Sequence, residues 1–217
     1  MGLEKVVVRL GDSDFPASSG SGGQWGANNS TAGVYAACVK LREAVAGPAG
    51  LSAEDSIEYG DLDKRYQQST FAGHFVEVAV NASTGEPRVR RMLAVCSAGR
   101  ILNPKSARSQ VIGAMTMGVG AALMEELAVD TRLGFFVNHD LASYEVPVHA
   151  DIPRQEVIFL DEVDPISSPM KAKGVGELGL CGVAAAISNA IYNATGVRVR
   201  DYPVTLDKLL PGLPQLA

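Results

Sequence analysis

The chain has 217 residues, 47% of them hydrophobic and 20% charged, with a formal net charge of -5. That supplies apolar material for a sizeable core and one or two domains. The acidic balance without a basic block argues against a nucleic acid or an anionic membrane surface as partner, and no apolar stretch has the length of a membrane span.

In chain order, the apolar run 6–10 reads as a short strand. The residues before it lack signal-peptide architecture, so the expected location is cytoplasmic, or periplasmic if a signal-bearing partner exports the chain. From Asp12 to Gly23 the composition is turn and loop. Ser30 or Thr31 is expected to cap a helix running to about Val45, ended by Gly47-Pro-Ala-Gly50. Residues 52–68 are polar and give no assignment. The strict alternation in His74-Phe-Val-Glu-Val-Ala-Val80 predicts a strand. Asn81-Ala-Ser-Thr-Gly-Glu is a turn, and 88–95 returns as the second strand of a hairpin.

Asn103-Pro104 starts a helix over 104–127 that is nearly uncharged in its middle. A helix apolar all round is buried. Its Gly113, Gly118 and Gly120 cost propensity and point to close packing. Further strands are expected at 133–137 and 156–160, and a broad apolar helix at 180–194. Hairpin pairing beside helices favours an α+β fold, mixed sheets with hairpins packed against long apolar helices, over a doubly wound sheet.

The segment Lys171-Ala-Lys-Gly-Val-Gly-Glu177-Leu-Gly is the strongest chemical signal. Gly174 and Gly176 allow a sharp turn and a close approach to a ligand. Glu177 would stand just outside the N-terminus of the 180–194 helix, where the ionised carboxylate is favoured. Two readings stay open at this level: a placed base, or a capping carboxylate. Lys171 and Lys173 either meet phosphates and lower the pKa of Glu177, or are solvated charges.

Gly20-Ser-Gly-Gly-Gln-Trp-Gly26 exposes backbone N–H groups before a helix. It reads as a flexible loop, a phosphate cradle, or a nicotinamide-dinucleotide site. No acidic residue ends a second strand about 20 residues on, which weighs against the last. Gln110 puts an amide near the start of an apolar helix, where it either contacts a ligand or is an ordinary first-turn polar residue. The three cysteines, Cys38, Cys96 and Cys181, are far apart, so no iron–sulfur or zinc site is expected from this chain. The three histidines read as structural or surface.

Taken together, Gly174-Val-Gly-Glu177 with its Ala-rich helix, the ending Ala194-Thr-Gly-Val-Arg-Val-Arg-Asp-Tyr-Pro-Val, the 20–26 glycine run, Gly99-Arg-Ile-Leu-Asn-Pro104 and Gln110-Val-Ile-Gly113 resemble the C-terminal part of the molybdenum-binding subunit of the xanthine oxidase family. The chain is most similar to the aldehyde oxidoreductase branch, especially the bacterial three-subunit type. The resemblance runs from about Val6 to Leu210.

The resemblance implies a C-terminal molybdenum-cofactor-binding domain type, with 1–217 as part of one such domain and possible subdivision near 69–72 and 98–104. It implies that Glu177 is the catalytic base in oxidising aldehydes to carboxylic acids with water as oxygen source. It also implies that Gly22, Gly23, Gln24, Gly26, Gln110, Gly174 and Gly176 contact molybdopterin, in its cytosine dinucleotide form. No protein residue is expected to ligate the metal. Iron–sulfur clusters and FAD are expected only on partner subunits. The implied partners are the N-terminal half of the molybdenum subunit, an iron–sulfur subunit, an FAD subunit and the aldehyde. Because family subunits are several times longer, the isolated chain is expected to be inactive. The alternative is a noncatalytic folded or subunit-docking module.

Overall fold

The structure, a computed structural model, describes residues 2–18, 20–22, 25–44, 51–57, 60–152 and 154–213. Past a 3-10 turn at Leu3–Lys5, residues 6–10 lie exposed and pair with no strand among the described residues. The strand expected there is not formed. An apolar run becomes a strand only where a neighbour takes up its backbone hydrogen bonds.

Helix α1 spans Gly26–Ala44. It starts ahead of Ser30 and Thr31, so neither is its cap. Thr31 turns its hydroxyl back on the helix and donates to the Ala27 carbonyl at 2.6 Å, a habit of Thr inside helices. The expected stop at Gly47 to Gly50 lies outside the described residues. Among the described residues of the unassigned 52–68 stretch, one short helix, α2, spans Leu62–Arg65.

Strands β1 (Phe71–Val80) and β2 (Pro87–Ser97) form the expected antiparallel hairpin, with a register shift at Glu77/Val78. Asn81 builds the turn: its side-chain carbonyl accepts from the Ser83 and Thr84 N–H groups at 2.9 and 3.1 Å. Helix α3 occupies Pro104–Leu123. Its start is fixed by Asn103, whose side chain accepts from the Ser106 N–H at 3.1 Å, and by Pro104 in the first turn. It ends short of the expected residue 127.

The strand expected at 133–137 is reduced to β4 (Phe135–Phe136), paired antiparallel with β3 (Val129–Asp130). Strand β5 (Arg154–Phe159) joins β2 in parallel, Arg91 opposite Arg154 and Cys96 opposite Phe159. The sheet order is β1-β2-β5. A parallel partner needs a crossover, and α3 lies in it. Helices α4 (Val183–Thr195) and α5 (Leu206–Leu209) follow. Helices mixed with small sheets are the α+β class in its coarse form.

Met92, Ala94 and Cys96 alternate inward from β2 and are 1% exposed or less. They meet Val111, Met115 and Val119 of α3, and Val183, Ile187 and Ile191 of α4. Burying each of the larger side chains contributes about 1.5–3 kcal/mol. The expectation that α3 is buried all round is corrected: Gly113 and Met117 face outward, Met117 at 58% exposure. Gly118 does pack closely, since a Cβ there would stand 2.5 Å from Val183 Cγ1, whereas a Cβ on Gly113 would have no neighbour within 4 Å.

Candidate functional site

Where β2 leaves the sheet, residues 98–100 are stitched to the segment that leads to Glu177. Gly99 and Ala172 form an antiparallel bridge. The Arg100 N–H donates to the Lys171 carbonyl at 2.8 Å, and the Lys173 N–H to the Ala98 carbonyl at 2.9 Å. Lys171 takes a left-handed φ of 62°, and its carbonyl also accepts from the Asp164 N–H at 3.1 Å. Such a conformation in a non-glycine residue costs about 1–3 kcal/mol and persists only where its surroundings hold it.

Lys173 is not a solvated charge. Its side chain is 14% exposed, with Nζ 3.8 Å from Glu162 Oε1 and 4.0 Å from Asp164 Oδ2. Glu162 Oε1 also accepts from the Gly99 N–H at 2.8 Å and the Ser97 hydroxyl at 2.7 Å. The Gly99 bond, then that from Ser97, holds the Glu162 carboxyl below its ordinary range. Burial pushes Asp164 up, but hydrogen bonds from the Ser167 and Ile166 N–H groups outweigh it and leave it lowered. Lys171, by contrast, is exposed.

Residues 176–182 form consecutive turns, and α4 begins only at Val183 with Gly182 as its N-cap. The expected helix start at 180 is thereby corrected, and the N-cap position belongs to Gly182, five residues past Glu177. The Glu177 side chain is exposed, and among the described residues nothing bonds its carboxylate. A carboxylate held by backbone geometry and left free of partners is available to a substrate or a proton.

Gly26 at the head of α1, Gln110 on α3 and Gly176 beside Glu177 line one cleft of about 330 Å³. Three elements far apart in sequence meet there. Gly174 lies in the same strap, between the wall residues Lys173 and Val175. Gly22 packs on Trp25, a Cβ on it standing 2.9 Å from that ring. Gly23 and Gln24 lie outside the described residues. Trp25 is 47% exposed. Gln110 is exposed to the cleft rather than buried.

Asn28, Arg100, Asn103 and Ser106 join the walls. Asn28 is 6% exposed, yet its Oδ1 has no hydrogen-bond partner among the described residues. A buried amide oxygen without a donor is rare and suits a ligand N–H. The cationic Arg100 suits phosphate oxygens. The walls therefore fit a flat, hydrogen-bonding heterocycle carrying phosphate. Among the described residues no group of three His, Cys, Asp or Glu side chains stands ready to hold a metal ion. Nothing in the sequence marked Asn28: its burial is set by distant elements. A larger cleft of about 690 Å³ lies across Lys173, walled by residues 62–69, Asp164, Ile166 and Ser167. None of the expected ligand residues lines it, so the smaller cleft is the stronger candidate. The nicotinamide-dinucleotide reading loses its support, because no strand precedes the glycine run among the described residues.

Comparison with known proteins gives the family. The molybdopterin cofactor-binding domain family matches residues 50–153. The aldehyde oxidoreductase molybdenum-binding subunit PaoC of Escherichia coli is 70% identical over 99% of this chain and 33% of its own length. The xanthine dehydrogenase molybdenum-binding subunit of E. coli is 37% identical over 73% of this chain and 20% of its own. The aldehyde oxidoreductase structure from Desulfovibrio desulfuricans has a TM-score of 0.61 at 33% identity, covering 67% of this chain and 16% of that one. Quinoline 2-oxidoreductase from Pseudomonas putida has a TM-score of 0.64 at 25% identity, covering 79% and 22%. The chain spans about a third of the length of PaoC and less of the others. It belongs to the family of molybdopterin-binding subunits of aldehyde oxidoreductases and xanthine dehydrogenases.

Proposed function

We propose that this chain is the base-bearing portion of a molybdenum hydroxylase that oxidises aldehydes to carboxylic acids with water as oxygen source. One observation carries the reading: Gly26, Gln110 and Gly176 wall a single cleft with the unpartnered Asn28 amide, and Gly176 is the chain neighbour of Glu177. When bound, the molybdenum cofactor supplies the two-electron chemistry. Gln110, Asn28 and the glycine backbones would hold its heterocycle, while Arg100 would meet phosphate; the cytosine dinucleotide form has the phosphates for this role. Gly22, Gly23, Gln24 and Gly174 are assigned to the same shell by resemblance.

Converting an aldehyde and water to an acid releases two protons and two electrons. A carboxylate oxygen of Glu177 takes a proton as the water-derived oxygen adds to the aldehyde carbon. The electrons leave through iron–sulfur and FAD subunits. Residues 1–217 serve as the C-terminal part of the cofactor-binding domain, completed by an N-terminal half that positions cofactor and substrate. The isolated chain is therefore inactive.

The test is Glu177→Gln in the full-length subunit with its partner chains. Turnover should fall by about 10²–10⁴-fold with molybdenum content unchanged. Wild-type turnover from a metal-loaded Glu177→Gln enzyme would remove the base assignment and leave the subunit-docking module as the better reading.

A further inference from the structure

The turn that carries Glu177 is built around a residue the reaction itself does not use. His74 sits on β1 opposite the fully buried Ala94, on the face of the sheet that points to the core. Its Nε2 lies 3.3 Å from the Leu178 carbonyl oxygen. A carbonyl can only accept, so Nε2 carries the proton and the imidazole is fixed as that tautomer. The other ring nitrogen, Nδ1, is buried and has no partner among the described residues. Protonating it would leave an N–H buried without an acceptor, and burial accordingly outweighs the Leu178 bond and lowers the pKa.

The ring also fills space. A Cβ on Gly182 would collide with His74 Cδ2. Leu178 directly follows Glu177 in the chain, and Gly182 is the N-cap of α4. The imidazole is thus held between the two ends of the turn, bonded to one and packed against the other. On the opposite side, Gly179 abuts Val111 of α3. The Glu177 carbonyl accepts from within the turn, from the Leu180 N–H at 3.0 Å and the Cys181 thiol at 3.4 Å, but its carboxylate makes no bond among the described residues, so where the turn sits depends on this support.

We propose that His74 is a positioning residue for Glu177, a neutral imidazole that sets the 177–182 turn through its bond to the Leu178 carbonyl and its contact with Gly182. The proposal rests on the reading of Glu177 as the base. A shift of the turn by about an ångström would cost turnover on the order of 10²-fold without emptying the cofactor site.

The experiment compares His74→Leu, which removes the donor, with His74→Gln, whose amide N–H reaches a similar point. Both are made in the full-length subunit with its partner chains, beside wild type and Glu177→Gln. Three quantities are read: amide hydrogen exchange across 176–183, molybdenum content, and kcat and KM with an aliphatic or aromatic aldehyde. His74→Leu should raise exchange in that turn alone. It should lower kcat by about 10–100-fold with molybdenum content and KM near wild type. His74→Gln should recover most of both effects.

Exchange in the turn as slow as wild type with kcat unchanged overturns the proposal. So does faster exchange throughout β1, β2 and α4, which marks a merely structural histidine. If His74→Leu does not fold, His74→Gln decides: wild-type exchange and kcat support the donor role, and loss of either overturns it. If Glu177→Gln keeps full turnover, the base reading is lost, and exchange in the turn alone decides whether His74 sets its position.

Discussion

Gly179 and Val111 meet backbone to backbone: a Cβ on residue 179 would stand 2.6 Å from the Val111 carbonyl oxygen and 2.8 Å from its Cα. This contact locks the glutamate turn to α3, one residue from Gln110. Glu177 and Gln110 are thereby held by one rigid joint.

Gly179→Ala therefore has no soft neighbour to displace, since backbone cannot rotate away as a side chain can. The substitution should cost about 1–3 kcal/mol of stability, read as a lowered urea midpoint. In the full-length subunit it should also reduce molybdenum content, which Glu177→Gln should not.

Glu162 ties Ser97, Gly99 and Lys173 together, and its folded-state pKa lies below the ordinary 4.5. A depressed carboxyl contributes stability that is complete above its unfolded value and is lost as pH falls through the folded one. Wild type should thus lose stability as the pH drops below about 4.5. Glu162→Gln should be less stable at neutral pH and show a shallower acid-side slope in urea unfolding. Parallel slopes for the two proteins would contradict the assignment.

His74 titrates with the opposite chemistry but the same direction of effect. Its folded pKa is lowered from 6.5, so below 6.5 the unfolded chain takes up a proton that the folded chain resists. Stability falls from pH 6.5 downward until the folded pKa is passed. His74→Gln should remove that component of the slope between neutral pH and the carboxylate range.

The cysteines should divide by burial. Burial pushes the Cys96 thiol up to about 11, while Cys38 and Cys181 are exposed. A thiol reagent at neutral pH should modify Cys38 and Cys181 in the native chain, and Cys96 only after unfolding. Mass spectrometry of labelled peptides gives the answer directly.

The parts of the fold that were legible in the sequence are those set by local chemistry. The alternation of 74–80 and the Asn81 turn specify a hairpin by themselves, and Asn103-Pro104 specifies where α3 begins. The parts that were not legible depend on distant neighbours. Residues 6–10 have strand composition without a strand to pair with. Thr31 looks like a cap but lies inside a helix that starts at Gly26. Lys173 looks solvated until Glu162 and Asp164 are folded against it. For the site, Gly26, Gln110 and Gly176 are linked in sequence only through family resemblance. Their meeting in one cleft is a tertiary fact, as are the buried Asn28 amide and the His74 ring under the glutamate turn.

The most direct test of the cleft is the molybdenum and pterin content of the full-length subunit carrying Gln110→Ala and Asn28→Ala together, beside Glu177→Gln. Loss of two cofactor hydrogen bonds should reduce retained metal and pterin by about tenfold or more in a folded protein, with Glu177→Gln fully loaded. Full loading of the folded Gln110→Ala/Asn28→Ala subunit would contradict the placement of the cofactor in this cleft.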